Sequence, residues 1–329
     1  MKFYELVKND VEATEKHIEQ VLKSESKTSY MYNLILEYIM RGGKRLRPAL
    51  LFLCTGALGG KKEEAIRTAA VIEMFHCFSL IHDDIEDDSL LRRGKPTMHI
   101  DQGIPIAINT GDALYTLVWR EMLKVSNSQE KQMKISSLLV NCFKKVVEGQ
   151  SIELKWYRDK IADIKEKEYL EMISLKTGAL ISVSCEAAAL INGKEKSAKN
   201  LQIFGYKIGM AFQIQDDILN IIGEEEKYKK EIGGDITEGK RTLMLTYAIE
   251  HLNRKEANEL KSIVLSHTRE KEKLSRAISL FKNSGAVDYA TSFALELIKE
   301  AKREIEVIPA SEYKEALFEV ADYMVKREK

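Results

Sequence analysis

The chain has 329 residues, enough for one large domain or two, with 44% hydrophobic and 31% charged residues; that is the composition of an ordinary globular protein, not of a disordered or fibrous one. Its 51 basic and 51 acidic residues cancel, which excludes the charge excess of a nucleic-acid binder or an acidic tail. Cys54, Cys77, Cys142 and Cys185 form no CxxC pair and sit in apolar stretches, so they read as buried thiols in a reducing compartment, not as a zinc site or a disulfide framework.

At the N-terminus, MKFYELVKNDVEATEKHIEQ lacks an apolar core of the signal-peptide kind. The run PALLFLCTGALGG is too short to cross a bilayer. The chain therefore reads as cytoplasmic, without a transmembrane segment. A basic loop, RGGKRLRP (41–48), precedes a helix expected to start at Pro48. Segments 65–82, 106–122, 168–191 and 201–222 are apolar on nearly every side, the pattern of helices inside a bundle. Residues 250–329 are more amphipathic and read as outer helices. Prolines occur at 48, 96, 105 and 309, so no strong helix breaker interrupts the long middle stretch. Breaks fall at 41–48, 92–105, 192–200 and 223–242, and none resembles a flexible linker. With no run of strand-like alternation, the expectation is an all-α chain folded as one domain over residues 1–329.

Two of the inner helices end in carboxylates. SLIHDDIEDDSLLRRGKPT (79–97) places Asp83 and Asp87 four residues apart, on one helix face. Hard oxygens at that spacing suit Mg²⁺, which takes one or two carboxylates plus substrate phosphates and water. Alone, such a pattern is more often a solvated helix end. FQIQDDILN (212–220) repeats it, with Asp216 and Asp217 again closing an apolar helix. If the two ends face each other, their carboxylates bracket a cavity able to hold several ions against a polyphosphate. Basic loops accompany both ends, carrying Lys44, Arg45 and Arg47, then Arg92 and Arg93, then Lys229, Lys230 and Lys240. Arginine suits bidentate phosphate contact and lysine acts as a point charge. Solvated loop charge is the plainer reading of Arg45 and Lys229.

GGKRLRP, SLIHDDIEDDSLLRRGKPT, KTGAL, FQIQDDILN and GGDITEGKRTL, in that order and spacing, resemble the trans-isoprenyl diphosphate synthases, or polyprenyl synthetases, most of all those making geranylgeranyl diphosphate. The resemblance covers about residues 40–245. It implies a helical bundle around a central apolar cavity and a homodimer. The implied reaction joins isopentenyl diphosphate to an allylic diphosphate. By resemblance, Lys44, Arg47, His76 and Arg93 hold isopentenyl diphosphate. Asp83, Asp87 and Asp216 hold three Mg²⁺ on the allylic diphosphate, with Arg92, Lys230 and Lys240 completing that site. Lys176, Thr177 and Gln213 lie near the ionising carbon and stabilise the developing cation. Phe78 with the small Ser79 after it implies a C20 product, with Phe75 the next candidate floor of the product tunnel. Spacing alone puts Phe78 about 140° round the helix from Asp83, so its tunnel role comes from the resemblance.

His76 precedes Asp83 by seven residues, near the same face and about 10 Å along the axis. His82 reads as structural. Asn220 stands where many members carry a third aspartate, which implies weaker metal binding there. A terpene cyclase needs no second diphosphate site, and a histidine-aspartate phosphohydrolase wants more histidines around its metal than the scattered six. A non-catalytic partner subunit would not need Asp83, Asp87, Arg92, Lys176 and Asp216 intact.

Overall fold

The computed structural model describes residues 2–25, 30–223 and 233–326. It is almost wholly helical. In chain order come α1 (Lys2–Glu5), α2 (Lys8–Glu25), α3 (Met31–Met40), α4 (Leu46–Ala57), α5 (Ile66–Glu86), α6 (Met98–Gln102), α7 (Ile104–Met122) and α8 (Gln129–Arg158). α9 (Glu166–Ile173) runs through one π-helical turn (Ser174–Gly178) into α10 (Ala179–Ile191). α11 (Ala198–Ile222), α12 (Gly234–Thr237), α13 (Leu243–His251), α14 (Arg254–Leu265), α15 (Lys271–Asn283), α16 (Ala286–Glu304) and α17 (Glu312–Lys326) complete it.

The helix starting near Pro48 begins two residues earlier, at Leu46. Proline is tolerated throughout a first turn, because the amide it lacks has no helical partner there. The all-helical expectation missed one small hairpin, β1 (Leu91–Arg92) and β2 (Lys95–Pro96), paired Leu91 to Pro96 and Arg92 to Lys95. Its two-residue turn, Arg93-Gly94, has φ of 54° and 75°. Two central residues with positive φ are what a type I′ hairpin turn requires.

The described residues divide into two compact units. The first comprises Met1–Phe143, Val183–Gln202 and Val307–Leu317. Its centre is α5, which packs most extensively on α7 and also meets α2, α3 and α4. Ala69, Ala70, Val71, Ile72, Met74, Phe75 and Cys77 are all buried, as an all-round apolar helix requires. α7 departs from that expectation. Ile104, Ile108 and Trp119 are exposed, with Leu123 just past its end, so among the described residues one apolar side of α7 is left uncovered.

The second unit comprises Lys144–Ser182, Ile203–Glu306 and Phe318–Lys329. Here α13 packs on α9, α14 and α16, and α15 joins α14 to α16. The amphipathic spacing of the C-terminal helices is met by one buried stripe each, for example Leu260, Ile263 and Val264 on α14. The continuous helical run Glu166–Ile191 is long and apolar enough to cross a membrane, which a search based on PALLFLCTGALGG overlooks. Of its most apolar stretch, 72% is buried inside the protein, as in a core helix.

Candidate active site

The first acidic end closes α5. Successive helical residues point about 100° apart, so the two aspartates of the pair have different surroundings. Asp83 is half-buried, whereas Asp84 is fully buried. Asp84 accepts from Arg92 Nε at 2.7 Å and from the Tyr38 hydroxyl at 3.2 Å. Burial pushes the Asp84 carboxyl up, and the Arg92 guanidinium opposes it. Arg92 also lies 3.7 Å from Asp83. Asp87, one turn beyond Asp83, ends the helix and is half-buried; Glu86 and Asp88 are exposed.

The type I′ turn sends the next arginine elsewhere. A Cβ placed on Gly43 would come within 3.0 Å of Arg93 Nη2. Glycine at 43 therefore lets the Arg93 guanidinium lie against the backbone of the GGKRLRP loop. Arg93, Arg47 and His76 form one electrostatic group. Burial, then Arg47, Arg93, Arg92 and Arg45, hold the His76 imidazole well below its ordinary range, so it is neutral at physiological pH. Among the described residues, the buried Arg47 Nε and Arg93 Nη1 have no acceptor. Buried guanidinium donors without acceptors are costly, and they suit an anionic ligand. Lys44 is exposed at the edge of this loop. Arg45 is not the solvated loop charge expected: it is buried, 2.7 Å from both Glu15 and Glu73, and donates to the Ile39 carbonyl.

The second acidic pair lies near the end of α11, which runs on to Ile222. Asp216 is half-buried and Asp217 is buried. Asp217 accepts from the Tyr169 hydroxyl at 2.7 Å and from Gln213 Nε2 at 2.9 Å. Burial first, then the nearby Asp235 carboxylate, push the Asp217 carboxyl up. Gln213 in turn accepts from the Thr177 hydroxyl at 2.9 Å. A single hydrogen-bonded chain, Thr177–Gln213–Asp217–Tyr169, thus joins the π-helical turn to α11. Lys176 donates to the buried Glu153 at 2.5 Å. The backbone of α8 approaches this turn closely, since a Cβ on Gly149 would lie 2.4 Å from the Lys176 amide nitrogen. π turns of this kind are frequent at functional sites.

Asn220 is buried, and its Oδ1 accepts from the Asp235 amide at 2.9 Å while its carbonyl accepts from the Gly233 amide at 2.8 Å. It pins the segment that follows and is occupied by backbone. Within that segment Lys240 bridges Asp235 at 3.0 Å and Glu238 at 2.8 Å. Arg241 is buried and donates to the carbonyls of Ile161, Gly239 and Trp156. Lys229 and Lys230 lie outside the described residues.

The structure therefore groups Arg47, His76 and Arg93 in the first unit. It joins Thr177 to Gln213, with Lys176 adjacent, in the second. Sequence reasoning missed Tyr38, Tyr169 and Glu153, whose partners are distant in the chain, and also Asp235, which lies within GGDITEGKRTL five residues from its partner Lys240. Among the described residues, no group of three His, Cys, Asp or Glu side chains could hold a metal alone. Two carboxylates one turn apart fit an ion that brings waters and a substrate phosphate, and do not fit an all-protein cage.

A model of the polyprenyl synthetase family matches residues 29–281. The chain is 39% identical over 327 residues to a geranylgeranyl pyrophosphate synthase of Geoglobus acetivorans, covering 98% of this chain and 99% of that one. It is 38% identical over 291 residues to a short chain isoprenyl diphosphate synthase of Methanothermobacter thermautotrophicus, covering 88% of each. The crystal structure of a geranylgeranyl pyrophosphate synthetase from Pyrococcus horikoshii superposes with a TM-score of 0.92 at 32% identity, over 99% of this chain and 98% of that one.

Proposed function

The chain belongs to the polyprenyl synthetase family, and from that premise we propose that it is a trans-prenyltransferase joining isopentenyl diphosphate to an allylic diphosphate, with geranylgeranyl (C20) diphosphate as main product. The observation that carries this reading is the repeated aspartate pair, one member buried and the other half-buried: Asp84 with Asp83, Asp217 with Asp216.

In this reading Asp83, Asp87 and Asp216 hold Mg²⁺, and Arg92, Lys230 and Lys240 add positive charge around the allylic diphosphate. When bound, the metal ions neutralise the leaving diphosphate as the carbon–oxygen bond breaks. Arg47, Arg93, His76 and Lys44 hold isopentenyl diphosphate, which supplies the missing acceptors for Arg47 Nε and Arg93 Nη1. His76, neutral beside its arginines, keeps a hydrogen-bond donor for a phosphate oxygen without adding a competing charge. The Thr177 hydroxyl, oriented by Gln213, presents its oxygen to the developing allylic cation, while Lys176 is restrained by Glu153. An apolar interior keeps the cation from water until the alkene attacks. The proton lost from the new chain passes to the released diphosphate, so no protein base is needed.

The family match runs through residues of both units, which supports reading 1–329 as one catalytic domain. The outward apolar stripe of α7, Ile104, Ile108 and Trp119, supports the expected homodimer in the cytoplasm, which sedimentation would read directly. The deciding experiment incubates the protein with Mg²⁺, isopentenyl diphosphate and C5, C10 or C15 allylic diphosphates, with product length read by chromatography. C20 diphosphate is the expected main product, and Phe78→Ala should lengthen it. Absence of any chain under every condition removes the synthase reading.

A further inference from the structure

The loop that carries Lys44 and Arg47 turns through a conformation its own residue disfavours. Arg45 sits at φ 45° and ψ 36°, in the left-handed region, where a Cβ crowds the backbone. Such a residue persists only where its surroundings over-determine it. Three bonds do so here. Arg45 Nε donates to Glu15 on α2 and its Nη1 to Glu73 on α5, both at 2.7 Å, and its Nη2 donates to the Ile39 carbonyl of α3 at 2.6 Å. Arg45 and Glu73 are 4% and 3% exposed. One guanidinium fork thus ties three helices to the residue before α4. The Arg45 carbonyl in turn accepts from the Ala49 amide at 3.0 Å, which starts α4 with Arg47 in its first turn.

Both members of the buried pair adjoin residues assigned to isopentenyl diphosphate. Arg45 lies between Lys44 and Arg47 in the chain. Glu73 lies three residues before His76, on the same face of α5. Charge links them as well. Burial pulls the Arg47 guanidinium down, and Glu73 is the first group that opposes it. Without Glu73, Arg45 would keep only the half-buried Glu15 as a carboxylate partner, and two guanidiniums two residues apart would repel each other. Each guanidinium nitrogen of Arg45 already has a protein acceptor, so the side chain holds the loop and not the ligand. We propose that Arg45 and Glu73 are positioning residues for isopentenyl diphosphate: their buried pair, with Glu15 as a third arm, holds the left-handed turn that sets the placement of Lys44 and Arg47. The proposal rests on the reading above in which Lys44, Arg47, His76 and Arg93 hold that diphosphate. The pair touches no substrate and acts through Lys44 and Arg47. The allylic diphosphate, assigned to other residues, does not depend on it, so the two substrates should respond differently to its loss.

The test is steady-state kinetics at saturating Mg²⁺, with KM measured separately for isopentenyl and allylic diphosphate and with thermal melting of each variant. Arg45→Lys keeps the charge and loses the fork, whereas Glu73→Gln keeps the shape and loses the charge. Each should raise the KM for isopentenyl diphosphate about tenfold or more. The KM for the allylic diphosphate should stay within about twofold. Arg45→Gly accepts the positive φ without strain and should show the same rise, because backbone freedom does not replace the bonds. Arg45→Met combined with Glu73→Leu leaves neither charge of the pair unpaired, so it should melt closer to the unaltered protein than Glu73→Gln does, yet keep the raised KM. A merely structural pair would lower melting and turnover while leaving both KM values unmoved or raising them equally, and that result overturns the proposal. An unaltered KM in Arg45→Gly or in the double variant overturns it too. If the Arg45 and Glu73 variants do not fold, Glu15→Gln, at the half-buried arm, is read in the same way, with a rise of about threefold. Arg47→Lys is the control for the underlying reading. A raised KM for isopentenyl diphosphate in Arg47→Lys, with none in the Arg45 and Glu73 variants, overturns the positioning pair alone. An unmoved KM in Arg47→Lys overturns the reading of the site as well.

Discussion

At the end of α5, Asp84 is buried against a guanidinium, that of Arg92, and the Tyr38 hydroxyl. Near the end of α11, Asp217 is as deeply buried against two neutral donors, the Tyr169 hydroxyl and the Gln213 amide. In both pairs the preceding aspartate is only half-buried. The paired sequence is therefore a two-part device. One carboxylate is buried in the fold, and the helical turn of about 100° places its half-buried neighbour on another face. The two ends differ in how the buried carboxylate's charge is met. Arg92 opposes the upward push of burial on Asp84, whereas among the described residues no cation is hydrogen-bonded to Asp217, which shares its surroundings with Asp235.

That contrast can be broken at four depths. The largest effect is expected at the half-buried members. Asp83→Ala and Asp216→Ala should each cut turnover by about a thousandfold or more, with melting little changed and with Mg²⁺ dependence shifted to higher concentration. Substantial activity in either would remove that residue from the metal site. Next come the buried members, which should separate in stability. Asp84→Asn removes the charge bonded to the partly buried Arg92 guanidinium, which keeps only the longer contact to Asp83, and should cost about 3 kcal/mol. Asp217→Asn loses one neutral hydrogen bond and should cost about 1–2 kcal/mol. Equal losses in denaturant melts would erase the distinction between the two ends.

Much of this was legible in the residues, and the reasons are local. The helical repeat separates Asp83 and Asp87 from Glu86 and Asp88, and the structure leaves the latter two exposed. KTGAL and FQIQDDILN mark Thr177 and Gln213, which the fold joins directly. What was not legible depends on distant partners. Nothing in the sequence marks that the Arg92 guanidinium also bonds Asp84. Tyr169 lies 48 residues from Asp217, and nothing in its own neighbourhood marks it as a donor. α7 reads as an inner helix because an apolar stripe looks the same whether its own chain covers it or not. Asn220 reads as a weakened metal ligand, whereas its side-chain oxygen is taken by the Asp235 amide.

A third comparison concerns Asn220, which pins the backbone at Asp235. Asn220→Ala should cost about 1–3 kcal/mol and release the segment bearing Asp235 and Lys240, seen as faster amide exchange at Asp235. Unaltered exchange there would show that the segment is held by other contacts, Arg241 first among them. The smallest effect belongs to His76, beside the first end. Its folded pKa is depressed by burial and by the surrounding arginines, so the unfolded chain takes up a proton first. Its contribution to stability is complete above about pH 6.5 and is lost as pH falls below that, with a slope of at most about 1.4 kcal/mol per pH unit. His76→Gln should flatten the acid side of the stability profile, and an unchanged slope would assign the acid sensitivity to other groups.

The hairpin between Asp88 and Thr97 is less tolerant of insertion and deletion than its surface position suggests. Most surface connections accept length changes. Here the two-residue turn, with Arg93 at φ 54° and Gly94 at φ 75°, fixes the register that sends Arg92 to Asp84 and Arg93 to the backbone at Gly43. One added residue would change the turn type and rotate one arginine away from its partner. The segment is thus length-locked, and its permitted variation is confined to the side chains at its open edges, Leu91 and Lys95.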